Sequence, residues 1–387
     1  MKNQMFIRVF AYSFLCLLLS ACGGSDSSPR PPIVVENFIS PSSLTNKTIA
    51  LQLNDSLVHS ELPVINNSFN HYFDEGNIVY TQSDIVKSWQ FRGQFSYQQT
   101  STEQSRLEID LADSELSYTV TLTFNNETTG NWSAEVIAGQ PLSGEFVITS
   151  NISPQNYEFA GKIEENLVFD SSITGISYPY HVYLPKGYDE SNKNYPVIYA
   201  TDGQWEFKRF AHAIETSNKD IILVAIEQGP EERRLIDYAL TGSSSYLKFL
   251  EQEMLPLVEQ NYRIDENSRA IQGASWGGLL VRHALIKNIE VPLFNQFISM
   301  DGSYFNDTAQ YLTLEDEAFF DGAAIKGSIY LSGATRQGNR GVVENYKQSL
   351  VDRDIDGLTI YHQNFDVLHG QITTPSIRDA IFKLYPN

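Results

Sequence analysis

The stretch Arg269-Ala270-Ile271-Gln272-Gly273-Ala274-Ser275-Trp276-Gly277-Gly278-Leu279-Leu280-Val281 decides the fold. Its first four residues read as a buried strand, and Trp276 to Lys287 reads as a helix. Between them Gly273-Ala274-Ser275-Trp276-Gly277 has the G-x-S-x-G form of a nucleophile elbow, a strand-to-helix turn so tight that the residues around the serine must be small. Gly273, Gly277 and Gly278 permit that crowding, and the turn lifts the serine oxygen above the sheet edge at a helix N-terminus. The bland reading is a glycine-rich helix start with an incidental serine.

Working outward from the elbow, apolar runs alternate with helix-length amphipathic stretches from about Gly161 onward. Strand candidates are Tyr195 to Ala200, Ile221 to Ile226, Ala270 to Gln272, Gln296 to Met300, Ser328 to Leu331 and Leu358 to Tyr361. Helices are expected near Tyr246 to Asn261, Trp276 to Lys287 and Val342 to Asp352, and Thr374-Pro375 starts a last one running to about Leu384. The expected class is α/β with a mostly parallel sheet.

A serine hydroxyl attacks only when an imidazole takes its proton, and in elbow-type folds the histidine follows the serine in the chain. His283 lies two turns along the elbow helix, pointing away, and His362 lies within a strand. His369 lies just past the last strand and before the last helix, in a loop at the carboxyl edge of the sheet, and is assigned as the general base; a surface histidine without a role is the alternative. The oxyanion needs backbone donors. Trp276 N–H, directly after the serine, is one, and Gln204 N–H, in the Thr201-Asp202-Gly203-Gln204 turn after the strand Tyr195 to Ala200, is chosen as the other, although Asp202-Gly203 also suits an ordinary turn.

Ahead of this region, from about Thr48 to Ser150, the period is two. Tyr118, Val120, Leu122 and Phe124 alternate with Ser117, Thr119, Thr121 and Thr123, and Phe95, Leu107, Trp132 and Phe146 start similar runs. Short, closely spaced strands point to a small antiparallel barrel or sandwich with no catalytic cluster, and His59 and His71 are read as surface residues.

Across 387 residues the chain is 42% hydrophobic and 19% charged, enough for two packed domains. Lysine plus arginine number 27 against 47 aspartate plus glutamate, a net charge of −20 that repels phosphate backbones and excludes a nucleic-acid partner. Both cysteines, Cys16 and Cys22, lie near the N-terminus, so thiol chemistry and thiolate metal sites are excluded from the folded body. Lys2 and Arg8 precede an apolar run from Val9 to Leu19, about 11 residues, too short to span a bilayer and fitting a secretory signal. Leu19-Ser20-Ala21-Cys22 resembles the bacterial lipobox, which makes Cys22 the lipidated first residue of the mature chain; an ordinary signal peptide cleaved near Ala21 is the alternative. Gly23 to Pro32 is a Gly/Ser/Pro tether, and Gly23 in place of an aspartate favours attachment to the outer membrane of a bacterial envelope. The domains expected are a leader over 1–21, a lipidated cysteine and tether over 22–45, a β domain over 46–160 and an α/β domain over 161–387.

From about Asn166 to Tyr385 the sequence resembles the esterase family of α/β-hydrolases, related to enterochelin esterase, S-formylglutathione hydrolase and feruloyl esterase domains. The resemblance rests on Tyr183-Leu184-Pro185, on Tyr195 to Gln204, on Tyr246 to Leu250 with Glu253, Pro256 and Tyr262, on the serine elbow and on the His369 loop. It implies an α/β-hydrolase fold and a two-step acyl transfer. Ser275 attacks a carbonyl, His369 shuttles the proton, and water releases the acid, with neither cofactor nor metal. The family places the third triad member after the strand before the last, and Gly333 to Arg340 holds no acid there. Glu344, Asp366, a backbone carbonyl, or a Ser-His pair without an acid are the options. The loop Glu227 to Thr241 resembles a family segment near the active site, so Arg233 is a candidate contact to an anionic or polyhydroxylated substrate, or else a solvated arginine. Trp205, Tyr304 and Phe305 follow strand ends on the same edge and line an acyl or aromatic pocket or belong to the core.

The expected function is a lipid-anchored serine esterase acting on a small-molecule ester, whether siderophore lactone, acylated sugar or aromatic ester. A binding protein on an inactive hydrolase scaffold and an acyltransferase using the same serine are the alternatives.

Overall fold

The computed structural model describes residues 39–386 apart from 54–67, 75–76, 84–90, 112–115, 137–139, 151–153, 231, 307 and 321–322. Cys16, Cys22, the tether to Pro32 and His59 lie outside the described residues.

The period-two region closes into a barrel of eight antiparallel strands in chain order: β1 (Lys47–Gln52), β2 (Ser68–Asp74), β3 (Ile78–Ser83), β4 (Phe91–Gln99), β5 (Gln104–Leu111), β6 (Leu116–Phe124), β7 (Thr129–Val136) and β8 (Gln140–Ser150). Strand β5 shows why: Ser105, Leu107, Ile109 and Leu111 point inward, while Gln104, Arg106, Glu108 and Asp110 face water. Val120, Leu122, Phe124, Trp132, Phe146 and Ile148 complete the filled interior. The pairing of Ile49 with Ile148 joins the first strand to the last, so the module is a barrel rather than a sandwich and leaves no open edge. Strands β2 and β3 differ in being apolar on both faces. Phe73 and Val79 fill the barrel, whereas Tyr72, Ile78 and Tyr80 project outward into the core of the following region. The surface placement of His71 is corrected. It is fully buried, with Nδ1 2.9 Å from Thr81 Oγ1 and Nε2 2.9 Å from Tyr118 OH, and burial pushes its pKa down to about 3.

The remainder alternates strand and helix. It comprises β9 (Lys162–Asp170), β10 (Ser177–Leu184), β11 (Tyr195–Ala200), α1 (Gly203–Thr216), β12 (Ile222–Ile226), the single turn α2 (Arg234–Asp237) and α3 (Ser243–Phe249), which runs through a π turn at Leu250–Met254 into α4 (Leu255–Asn261). It continues with β13 (Ile264–Ala274), α5 (Trp276–Lys287), β14 (Gln296–Met300), α6 (Thr308–Ala318), β15 (Ala324–Arg336), α7 (Arg340–Arg353), β16 (Asp356–Leu368), a 3₁₀ turn at His369–Gln371 and α8 (Thr373–Leu384).

The eight strands form one sheet in the order β16-β15-β14-β13-β11-β12-β10-β9. The six from β16 to β12 in that order are parallel, and the β9-β10 hairpin adds antiparallel strands at one edge, so the expected mostly parallel α/β sheet is present. Runs such as Ile222 to Ile226, buried at every residue, are covered on both faces, with one core on the α5 side and the other on the α1 and α8 side. Because the six strands run in one direction, the residues following β11, β13, β14 and β16 gather at a single sheet edge, where ligands bind in open α/β sheets.

Candidate active site

Ser275, between β13 and α5, has φ 56° and ψ −113°, a backbone conformation that a side-chain-bearing residue adopts only under constraint. The constraint is crowding at the elbow. A Cβ on Gly273 would sit 2.2 Å from the carbonyl carbon of Gly277, and one on Gly278 would sit 2.7 Å from Ser299 Oγ. The turn is tied down from the next strand: Ser275 N–H donates to Met300 O at 2.9 Å, and Ser303 N–H donates to Ser275 O at 3.0 Å.

His369 Nε2 lies 3.1 Å from Ser275 Oγ, and His369 Nδ1 lies 2.5 Å from Asp301 Oδ2. Asp301 is fully buried and follows β14. This corrects the expectation for the acid, which was sought one strand later. Asp366 instead accepts from Thr335 Oγ1, and Glu344 accepts from Asn364 Nδ2. The end of β15 and the loop after it, which carry no acid, supply the acid's donors: Ala334 N–H and Asn339 N–H each reach Asp301 Oδ1 at 2.9 Å. Oδ1 takes both amides, and Oδ2, which shares the Asn339 N–H at the longer distance of 3.1 Å, accepts the His369 Nδ1 proton, which makes Nε2 the acceptor facing the serine. Serine, imidazole and carboxylate thus stand in the order needed to withdraw the Ser275 proton.

Ser303, which sequence reasoning passed over, places its own hydroxyl 3.1 Å from Ser275 Oγ. When Ser275 donates to His369, Ser303 is the donor in this second contact.

Neither Gln204 N–H nor Trp276 N–H meets an acceptor among the described residues, as fits the first turns of α1 and α5. The start of α5 packs closely on the turn leading into α1, since a Cβ on Gly277 would sit 2.4 Å from Thr201 Oγ1. The Gln204 side chain turns away and accepts from Gln228 N–H at 3.1 Å.

A cavity of about 220 Å³ opens over Ser275 and His369, walled by Thr201, Asp202, Trp205, Glu206, Arg234 and Thr373 among others. Trp205 is half exposed at its mouth, with the Arg234 guanidinium 5.5 Å from its ring centroid. Arg234 also clamps Asp202 through two bonds, Nε to Oδ1 at 2.9 Å and a terminal nitrogen to Oδ2 at 2.8 Å. Burial raises the Asp202 pKa, opposed by Arg234.

Two substrate-contact expectations need correction. Arg233 does not line this cavity; its Nε reaches Asp237 Oδ1 at 3.0 Å, one helical turn on, and Asp237 in turn accepts from Tyr178 OH. Tyr304 is buried against Ser299 Oγ and Tyr346, and with the half-exposed Phe305 lines a separate cavity of about 260 Å³. Among the described residues, no group of three histidine, cysteine, aspartate or glutamate side chains could hold a metal ion.

Residues 171–303 match the family described as Putative esterase, a span that includes Ser275 and Asp301 and stops before His369. No curated protein matches the chain. Among solved structures, an IroE-like serine hydrolase from Shewanella oneidensis superposes with a TM-score of 0.52 at 22% identity, over 58% of this chain and 80% of that one. The BES protein from Bacillus cereus gives 0.51 at 21% identity, over 60% and 98%. A siderophore hydrolase, EstA, from Aspergillus nidulans gives 0.50 at 17%, over 58% and 94%. At these identities the structures establish a shared α/β-hydrolase fold for the region following the barrel, and residues 171–303 within it carry the match to the esterase family.

Proposed function

We propose that the protein is a serine esterase that cleaves carboxylic esters of small molecules through an acyl-enzyme, and that it is exported and held at the cell envelope by lipid on Cys22. The observation that carries the reading is the continuous Ser275-His369-Asp301 arrangement on a strained elbow. Ser275 Oγ attacks the ester carbonyl carbon as His369 Nε2 takes its proton, and Asp301 supports the resulting imidazolium. The tetrahedral oxyanion is received by the open amides of Trp276 and Gln204. Collapse expels the alcohol, protonated by His369. Water activated by the same imidazole then attacks the acyl-enzyme, and the acid leaves with Ser275 restored.

The anchor is supported by the Leu19-Ser20-Ala21-Cys22 string and by the apolar run before it. Among the described residues no helix is long and apolar enough to cross a membrane. Attachment at the outer membrane is the location that Gly23 favours.

Hydrolysis of short and aromatic p-nitrophenyl esters by wild type, Ser275→Ala and His369→Ala tests the reading. Each substitution is expected to remove about 10⁴-fold or more of the activity. No turnover on any ester together with no labelling of Ser275 by a fluorophosphonate overturns it in favour of an inactive binding scaffold, and ester transfer to an added alcohol in preference to water would make the protein an acyltransferase. Loss of acylation in Cys22→Ala checks the anchor.

A further inference from the structure

The barrel meets the hydrolase region through charges that converge on a single helix. Arg378 and Asp379, neighbours on α8, both turn toward the barrel: Arg378 pairs with Asp74 on β2 at 2.7 Å, and Asp379 pairs with Arg92 on β4 at 2.5 Å. All four side chains are at least nine-tenths buried. Aromatic groups seal the junction. The Arg378 guanidinium lies 4.3 Å from the Tyr72 ring centroid, Arg92 lies 5.8 Å from that of Phe365, and Tyr330 OH on β15 donates to the second oxygen of Asp379 at 2.7 Å.

The position of His369 in the chain gives this junction its significance. The imidazole sits between β16, whose Phe365 and Val367 belong to the core that includes the barrel's Tyr72, Ile78 and Tyr80, and α8, whose Ile377, Ala380 and Ile381 belong to the same core together with Ile372 just before the helix. Both flanks of the His369 turn are therefore packed in one cluster with barrel side chains, while His369 itself is more than a third exposed. Outside its contacts with Ser275 and Asp301, the ring depends on this support for its location.

We propose that the barrel acts as a clamp on the general base: the Arg92-Asp379 and Asp74-Arg378 pairs fix α8 and β16 so that His369 stays in line with Ser275 and Asp301. Arg92 and Asp74 are thus positioning residues for the esterase reaction, some distance along the chain from any group that meets substrate. The role assigned to His369 rests on the esterase reading; its placement does not.

The test uses the whole protein, comparing wild type with Arg92→Ala, Asp74→Asn, Arg92→Lys and the exposed barrel variant Arg106→Ala. Two quantities are read: kcat and KM for p-nitrophenyl acetate, and the imidazole nitrogen NMR shifts of His369, assigned by their loss in His369→Ala. Loosening a base by a fraction of an ångström to one ångström is expected to cut kcat about 10-fold to 100-fold with little change in KM. In the same variants the His369 nitrogens should move from a single tautomer, protonated at Nδ1, toward a mixture. Arg92→Lys should recover part of both, and Arg106→Ala should change neither. Folded Arg92→Ala and Asp74→Asn proteins with wild-type kcat and wild-type His369 shifts overturn the clamp. If circular dichroism shows Arg92→Ala unfolded, Arg92→Lys decides, and wild-type values in both readouts again overturn it. A wild type without turnover on any ester would remove the esterase reading, while the His369 shifts would still decide for or against the clamp.

Discussion

Replacing Asp301 with asparagine probes the site where its geometry is most constrained. Oδ1 of the native carboxylate accepts two fixed backbone amides, from Ala334 and Asn339, both at 2.9 Å, and Oδ2 accepts His369 Nδ1 at 2.5 Å. Asparagine has one oxygen. Turning its NH₂ toward the amides would leave donors facing donors in a buried place, so the oxygen stays on that side and the NH₂ faces His369. Nδ1 must then be the acceptor, the ring proton moves to Nε2, and the imidazole can no longer take the Ser275 proton. A tautomer fixed the wrong way costs a serine hydrolase about 10⁴-fold in kcat. That corresponds to about 5.5 kcal/mol of transition-state stabilisation, several times what a single neutral hydrogen bond contributes to stability. The assay is steady-state hydrolysis of a p-nitrophenyl ester, with Asp366→Asn and Glu344→Gln as companions. Because those two residues bond Thr335 and Asn364, both companions should keep wild-type turnover. An Asp301→Asn enzyme retaining a tenth or more of wild-type kcat, or an Asp366→Asn enzyme losing 10⁴-fold, would refute the reasoning.

Ser303→Ala removes one donor from Ser275 Oγ, and the loss of about 1 kcal/mol should lower kcat/KM about fivefold; an unchanged value would make the contact incidental. Arg234→Ala strands the buried Asp202 carboxylate, a loss of about 3–5 kcal/mol at neutral pH. Since burial holds the folded-state pKa of Asp202 above its unfolded value, that penalty is present above the folded pKa and fades as pH falls toward the unfolded one, so the Tm deficit of Arg234→Ala should shrink in acid; a deficit independent of pH would count against it. Burial depresses His71 to about 3 and both His212 and His283 to about 4. The stability these three neutral rings hold is complete above the unfolded value near 6.5 and is lost as pH falls toward 4, with a combined slope of about 4 kcal/mol per pH unit in that window. A Tm that stays flat from pH 6.5 to 5 would contradict their burial as neutral groups.

The elbow and the His369 loop are legible in the sequence because each is a local pattern: a strand, a turn of small residues and a helix in one case, a histidine between the last strand and the last helix in the other. Asp301 is not legible in that way. Asp301-Gly302 reads as an ordinary turn after Gln296 to Met300, and nothing in those residues tells that the His369 loop reaches back past β15 to it. The difference between Arg233 and Arg234 was partly available, since Arg233 stands four residues before Asp237, the spacing of a helical ion pair, which leaves Arg234 to face elsewhere. Barrel closure depended on β2 and β3, whose two-faced apolar character hides the period of two. Their outward residues belong to a second core that only the three-dimensional fold assembles.

The position of the acid links these observations. Strand β14 lies beside β13, so one turn after β14 reaches both members of the reacting pair: Asp301 holds the imidazole and Ser303 contacts the nucleophile two residues later. An acid just after β14 also needs support from the far side, because its carboxylate is buried and must be satisfied by groups that do not titrate. Backbone amides from the end of β15 and from the β15-α7 loop provide that support, and the requirement falls on the path of the backbone and not on its side chains. Gly338 marks the tightest point of that path, since a Cβ there would lie 2.8 Å from Asp301 Oδ2. A loop selected for carbonyl and amide directions, with a glycine where it passes the carboxylate, has no reason to carry an acid of its own, which is why Gly333 to Arg340 looks empty while holding the acid in place.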